Sequence, residues 1–165
     1  MKLFSRGGEC AIRAMLQVAQ TQSFAGFSPK KICADAEISE PFGHKAFAEM
    51  VKAHIIQGMR GPGGGYSLLR HPAEISLLDV VLAVDGPNAF AECPMGASCQ
   101  AQGGSGGAFS CEGCTLPNPM CELRRICPLH DLWRETRKLV ISELKLLTLQ
   151  VLQDHLKKNA RESNL

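Results

Sequence analysis

The chain has 165 residues, 45% of them hydrophobic, and a formal net charge of +2. This length suits one domain, or one small domain with an appendage, and so balanced a charge points to no class of partner by itself. The N-terminal residues lack the apolar run of a signal peptide, and no stretch of about 18 apolar residues could span a membrane, so a cytoplasmic protein with reduced thiols is expected.

Three helices are predicted in the first third of the chain. Apolar residues at helical spacing indicate the first helix, over residues 9–20. Ser28 and Pro29 begin a short second helix, because serine caps helix N-termini and proline fits the first turn. After a tight connection, Ser39 caps a third helix, whose apolar residues again recur at helical spacing.

The next segment reads IIQGMRGPGGGYSLLR, in which two apolar strands flank a glycine-rich turn. Glycine adopts positive φ readily, so this turn predicts a β-hairpin. Three helices followed by a two-stranded hairpin are typical of a winged helix-turn-helix DNA-binding domain, which we assign to residues 1–86. A fourth helix that begins near Ser76, with Asp79 as its capping-box partner, completes this domain.

The predicted domain offers a set of candidate contacts with double-stranded promoter DNA. The second helix of a helix-turn-helix presents its first residues to base edges, serine and lysine can hold phosphates, and a glycine-rich wing with an arginine can approach a narrow minor groove. The candidates are Lys30, Ser39, Glu40, Pro41, His44, Lys45, Arg60, Gly63 and Gly64. For any single lysine, an ordinary solvated surface charge is the alternative.

Six of the eight cysteines lie within residues 87–127, which we call the cysteine segment. They are Cys93, Cys99, Cys111, Cys114, Cys121 and Cys127. Thiols at this density, in a chain expected to be reduced, indicate metal ligands, a redox centre or disulfides. The spacing of Cys111 and Cys114 also suits a structural zinc site, so zinc is an alternative metal. The other two cysteines, Cys10 and Cys33, lie on predicted helices and are expected to be buried as small apolar residues.

Residues 128–158 are predicted to form one long helix with a broad apolar face, and residues 159–165 a frayed tail. Such a helix carries more apolar surface than a small core can cover, which indicates packing against a second copy of the chain. The predicted fold class is therefore mainly α: a winged helix-turn-helix DNA-binding domain with a β-hairpin wing and a long C-terminal dimerisation helix.

Four segments, MKLFSRGGECAIRAM, RGPGGGYSLLR, ISLLDVVLAVDG and CPLHDLW, together resemble the Rrf-type winged-helix regulators, the IscR- and NsrR-like group. The resemblance covers residues 1–99 and 121–157. It implies a homodimeric transcription factor and not an enzyme. It also implies that a [2Fe–2S] or [4Fe–4S] iron–sulfur cluster controls the DNA affinity and senses redox state, iron or a reactive small molecule.

Carried onto this sequence, the family pattern implies Cys93, Cys99 and Cys127 as cluster ligands. The fourth ligand is either His130, three residues after Cys127, or an acidic residue in the first helix of the partner subunit, whose position Glu9 occupies.

The chain departs from the family pattern in the spacing of these cysteines. The family has a short gap between its second and third cysteines, whereas here residues 100–126 intervene. The thiols inside this insertion are therefore additional candidates: Cys111, Cys114 and Cys121. A cluster-free thiol–disulfide switch or a zinc-binding regulator of the same fold is the alternative function, and a small redox enzyme or electron carrier is the remote one.

Overall fold

A computed structural model describes residues 4–21, 24, 26–59, 64–87, 89–90 and 129–162. Its elements in chain order are the helices α1 (Arg6–Gln20), α2 (Pro29–Asp35) and α3 (Glu40–Lys52), the strands β1 (Ile56–Met59) and β2 (Gly65–Leu68), a 3-10 turn (Pro72–Glu74), and the helices α4 (Leu77–Asp85), α5 (Leu129–Leu146) and α6 (Leu149–Glu162). The predicted mainly α fold with a two-stranded wing is confirmed. None of these helices combines the length and apolar character that a membrane span requires.

Helix α1 begins three residues earlier than predicted. Ser5 is its N-cap, and the Ser5 hydroxyl accepts a hydrogen bond from the Gly8 amide at 3.1 Å. Gly7 and Gly8 disfavour a helix, so the sequence pattern places the start after them. The structure explains why residue 8 is a glycine: a Cβ at Gly8 would overlap the carboxylate of Asp85, at the end of α4.

Two apolar clusters hold the helices together. The larger one joins α1, α2, α3, the hairpin and α6, and its fully buried side chains include Met15, Phe47, Met50 and Leu149. The smaller one lies between α4 and α5 and is built around Leu77, Val81, Phe90 and Leu144. The helix-turn-helix therefore shares its core with α6, whereas α5 packs on α4.

The structure has two helices where the sequence predicts one over residues 128–158. The backbone that would continue α5 pairs with the segment before α4 instead. The Leu77 amide donates to the Leu147 carbonyl at 2.9 Å, and the Leu149 amide donates to the Ile75 carbonyl at 2.9 Å. These long-range bonds interrupt the helix although the apolar pattern continues through the break.

Thr148 begins the second of these helices. Its hydroxyl accepts a hydrogen bond from the Val151 amide at 3.3 Å, which satisfies one of the free amides at the start of α6. The helix then continues through Glu162, beyond the predicted end at residue 158. Helix α6 packs on α1, whereas α5 packs on α4.

Candidate nucleic-acid interface

Helices α2 and α3 form the helix-turn-helix, and a tight turn between them sets their crossing. Glu37 in this turn adopts a φ of 54°, and the Ile38 amide donates to the Cys33 carbonyl at 2.8 Å. The two helices then come into contact at Gly43, where a Cβ would overlap the sulfur of Cys33. Glycine at this position of α3 therefore allows the close approach to α2.

Three aromatic rings connect α3 to the wing. Phe47, on the buried face of α3, stacks on Tyr66 of β2 with ring centroids 5.3 Å apart, and Phe27 lies 6.2 Å and 6.3 Å from these two rings. Phe27 and Tyr66 also exchange two backbone hydrogen bonds, at 2.8 Å and 3.0 Å. Rings and backbone together hold the wing at one orientation to α3.

The predicted DNA-contacting residues of α3 share its outer surface. Ser39, Glu40, Pro41, His44 and Lys45 are all exposed, while the opposite face of the helix is buried in the core. The Ser39 side chain makes no capping hydrogen bond within the described structure, so its hydroxyl can serve a phosphate. These five residues are brought together as predicted, and their contacts with DNA are still a prediction.

The other predicted DNA contacts are only partly described. Lys30 is exposed on α2, and Gly64 is exposed just before β2. The strands pair antiparallel with Met59 opposite Gly65, which places the wing tip between them. Arg60 and Gly63 lie outside the described residues.

Sequence reasoning missed two residues on this surface. Phe42, in the first turn of α3, is 42% exposed, and the guanidinium carbon of Arg6 lies 5.8 Å from the centre of its ring. Phe42 belongs to the helically spaced apolar residues of α3, and a phenylalanine at such a position is ordinarily buried. The sequence pattern did not point to Arg6 as part of this surface, because Arg6 precedes the predicted start of α1.

The candidate metal ligands are mostly outside the described residues. This applies to Cys93, Cys99, Cys111, Cys114, Cys121 and Cys127. His130 is the second residue of α5, where only the backbone is described, and Glu9 is exposed in the first turn of α1. The described ranges contain no group of three or more histidine, cysteine or acidic side chains that could hold a metal.

Both ends of the cysteine segment are nevertheless attached to described elements. Phe90, three residues before Cys93, is 4% exposed and packs edge-on against Phe4 with ring centroids 6.1 Å apart. The Phe90 carbonyl accepts a hydrogen bond from the Arg137 guanidinium of α5 at 3.1 Å. Phe90 therefore lies between Phe4, just before α1, and the middle of α5, and α5 begins two residues after Cys127.

Asp85, the last residue of α4, ties the start of this segment to α1. Its carboxylate accepts hydrogen bonds from the Ser5 amide, at 3.1 Å, and from the Ser5 hydroxyl. A carboxylate is unfavourable at the C-terminus of its own helix but favourable at the N-terminus of another. The position of Asp85 is thus explained by α1 and not by α4.

We expect Asp85→Ala to lower the free energy of unfolding by about 1–2 kcal/mol, because α1 loses the carboxylate at its N-terminus. Urea denaturation measures the change. Asp154→Ala is the matched control: Asp154 is exposed on α6 and accepts one hydrogen bond from Gln150. Equal effects of the two substitutions would contradict the role assigned to Asp85.

The two cysteines of the helix-turn-helix domain are held as thiols. Cys33 is 1% exposed, as predicted, whereas Cys10 is only half-buried. Burial raises the pKa of both thiols, and the neighbouring carboxylates of Glu40 and Glu9 raise the pKa of Cys33 and Cys10 further. Because the thiolate is the reactive form, these two positions are poorly suited to metal binding or rapid oxidation at neutral pH.

The chain was compared with known proteins through a family model and through individual relatives. Residues 4–155 match the model of the Rrf2 family, described as an iron-dependent transcriptional regulator. The HTH-type transcriptional regulator IscR of Vibrio vulnificus is 31% identical over 149 residues, which cover 90% of this chain and 75% of the relative. IscR of Klebsiella pneumoniae is 28% identical over 149 residues, covering 90% of this chain and 77% of the relative.

Solved structures share the fold. CymR, the global cysteine regulator of B. subtilis, superimposes with a TM-score of 0.64 at 21% identity, over 94% of this chain and 98% of CymR. IscR of T. potens superimposes with a TM-score of 0.60 at 22% identity, over 100% of this chain and 92% of IscR. The sequence relatives carry the names of regulators and not of enzymes, in agreement with the expected absence of an enzymatic activity. The chain therefore belongs to the Rrf2 family of transcriptional regulators.

Proposed function

We propose that the protein is a homodimeric regulator whose affinity for promoter DNA in the cytoplasm is set by an iron–sulfur cluster held in the cysteine segment. The observation that carries this proposal is the attachment of that segment. Its start is held between Phe4 and Arg137, and its end continues into α5. A change in the segment would therefore act on α1 and α5 together.

The donor set fits a cluster. Thiolates are the usual ligands of iron–sulfur clusters, and histidine can replace cysteine on an iron and raise the reduction potential. We assign Cys93, Cys99 and Cys127 as the cysteine ligands, with His130 or Glu9 of the partner subunit as the fourth ligand. A bound cluster would supply a labile, redox-active iron centre. The thiols of the insertion are the alternative donors: Cys111, Cys114 and Cys121.

The described residues suggest how occupancy of this site reaches the DNA. Asp85 holds the N-terminus of α1, and α1 packs against α3, the recognition helix. Two recognition helices must lie about one DNA turn apart to dock in successive major grooves. A shift of α1 relative to α5 would change that separation, so the two states would differ in DNA affinity.

An exposed row of leucines on α5 supports the homodimer. Leu132, Leu139 and Leu146 recur every seventh residue and are 63%, 60% and 67% exposed. The inward face of the same helix is a different one, formed by residues such as Ile141 and Leu144, which pack on α4. A regular apolar row that the protomer does not cover is typical of a helix that pairs with a copy of itself.

We propose a functional division along the chain that follows these attachments. Residues 1–86 bind DNA, residues 87–127 hold the cluster, and residues 128–158 contain the dimerisation helix. The predicted tail over residues 159–165 is shortened, because α6 continues through Glu162. Within the third unit, α5 carries the exposed leucines, while α6 contributes to the core of the DNA-binding unit.

The proposal is tested on protein purified without oxygen. We expect iron and acid-labile sulfide, with visible charge-transfer bands, in the unaltered protein. Cys93→Ala, Cys99→Ala and Cys127→Ala should each lose most of the iron and make DNA affinity insensitive to oxidant. Cys33→Ala is the matched control, because Cys33 is buried between α2 and α3, and it should keep both properties.

Other outcomes have definite meanings. Loss of iron in variants of the insertion cysteines, but not of Cys99, would reassign the ligand set. Zinc in place of iron, or no metal together with DNA binding that dithiothreitol reverses, would overturn the cluster and favour a structural metal or a thiol switch. Either result would leave the assignment of α3 to DNA recognition intact.

A further inference from the structure

Phe42 is unusual among the phenylalanines whose exposure the structure gives. Phe27, Phe47 and Phe90 are at most 6% exposed and Phe4 and Phe24 are half-buried, whereas Phe42 is 42% exposed on the outer surface of the recognition helix. Its neighbours three residues away on α3 are Ser39 and Lys45, which are also exposed. An apolar ring is thus placed in a row between two candidate phosphate contacts.

The ring does not stand free in solvent. The guanidinium carbon of Arg6 lies 5.8 Å from its centre, at cation–π distance. Arg6 is the first residue of α1, and no salt bridge of Arg6 occurs among the described residues. Its charge is therefore available beside the recognition helix, and the stacking limits the directions in which the Phe42 ring can point.

We infer that Phe42 reads a thymine in the major groove by contact with its 5-methyl group, and that Arg6 positions the ring while facing an adjacent phosphate. This inference rests on the proposed binding of DNA through α3. The 5-methyl group is the apolar mark that distinguishes an A·T pair in the major groove, and phenylalanine is among the side chains suited to it. The polar residues of the same turn, Glu40 and His44, cannot supply that contact.

The pairing also separates two contributions to binding. Contact with a methyl group depends on the base and hardly on salt. A guanidinium at a phosphate acts on every sequence, and its contribution falls as the salt concentration rises. The two residues should therefore give different signatures when they are replaced one at a time.

The experiment uses duplexes that the full-length dimer selects from a randomised pool. Each thymine of a selected duplex is replaced singly by deoxyuridine, which lacks only the 5-methyl group, and Kd is measured by fluorescence anisotropy. At one position in each half-site, we expect the unaltered protein to bind about fourfold more weakly, the ratio that corresponds to one lost methyl contact. Phe42→Ala should bind the thymine and deoxyuridine duplexes equally at that position.

A matched control removes a different exposed apolar side chain. Leu69 follows β2 and is 45% exposed, and Leu69→Ala should keep the full sensitivity to deoxyuridine. If the unaltered protein binds every deoxyuridine duplex as tightly as the parent, or if Phe42→Ala keeps the sensitivity, the thymine contact is overturned. A protein that selects no duplex would overturn the DNA-binding proposal as well, so the two failures are distinguishable.

Arg6→Gln tests the positioning residue. We expect weaker binding to all duplexes alike, with the slope of log K against log salt concentration reduced by about one for each protomer. A residue that only stabilised the start of α1 would not change that slope. An unchanged slope would therefore show that Arg6 does not contact a phosphate.

Discussion

Gly43→Ala is expected to destabilise the folded protein by about 1–3 kcal/mol, the usual cost of overfilling a packed site. The direction is opposite to the ordinary preference, since alanine favours a helix interior over glycine by about 1 kcal/mol. The reason is that a Cβ at Gly43 would overlap the sulfur of Cys33, whose side chain is 1% exposed and therefore has little room to turn away. Helix α3 would have to shift away from α2, so DNA affinity should fall with stability.

A second substitution isolates the contact. In the Cys33→Ala background the sulfur is absent, and Gly43→Ala should be neutral or stabilising by up to about 1 kcal/mol. Urea denaturation of the four proteins should give a coupling of about 1–4 kcal/mol between the two sites, the difference between the effects of Gly43→Ala in the two backgrounds.

Gly58→Ala is the control for this pair. A Cβ at Gly58 would meet the Tyr66 ring at 3.9 Å, which is ordinary van der Waals contact. Its effect should stay below about 0.5 kcal/mol. If Gly43→Ala were equally destabilising with and without the sulfur of Cys33, the overlap would not be the cause.

Leu139→Lys is expected to convert the proposed homodimer to a monomer and to weaken binding to a two-half-site operator by about a hundredfold. Leu139 is the middle residue of the leucine row and is 60% exposed, so the protomer itself should remain folded. Lysine would place a charge at the centre of the proposed apolar contact between two copies of α5. The loss of affinity follows because linking two binding units raises affinity by about 100-fold or more.

Analytical ultracentrifugation measures the first effect and fluorescence anisotropy the second, with circular dichroism as the check on folding. Leu69→Lys introduces the same charge at an exposed leucine that is not on α5, and it should remain dimeric. A dimeric Leu139→Lys protein would show that another surface joins the two copies.

The structure also limits which cysteines could form the alternative thiol–disulfide switch. Burial raises the pKa of the Cys33 thiol, and it also raises the pKa of the half-buried Cys10 thiol. The thiolate fraction at these two positions is therefore small at neutral pH, and attack on an oxidant is slow. A redox response that survives without metal would have to arise in the cysteine segment.

Short-range signals accounted for most of the winged domain. Ser28 and Ser76 cap α2 and α4 as predicted, and Asp79 completes the capping box. The apolar runs on each side of the glycine-rich turn form β1 and β2. Each of these features depends on residues a few positions apart, so the local sequence was enough to predict them.

The misjudged features all depend on distant residues. The start of α1 at Arg6 is supported by the carboxylate of Asp85, 80 positions beyond Ser5. The candidate site was predicted from the helix-turn-helix pattern, but Phe42 was not among the predicted contacts, because it belongs to the apolar pattern of α3. Only the packing of α3, with Phe47 inward and Arg6 nearby, brings Phe42 to the surface.

By itself, the sequence determined the elements of the winged domain, the surface of α3 that carries its polar residues, and membership of a regulator family. Only the tertiary structure determined where the predicted C-terminal helix divides into two and which apolar side chains are exposed to solvent. The division depends on the hydrogen bond from Leu77 to Leu147, between residues 70 positions apart. Apolar periodicity indicates which side chains could be buried, but the rest of the fold determines which element buries them.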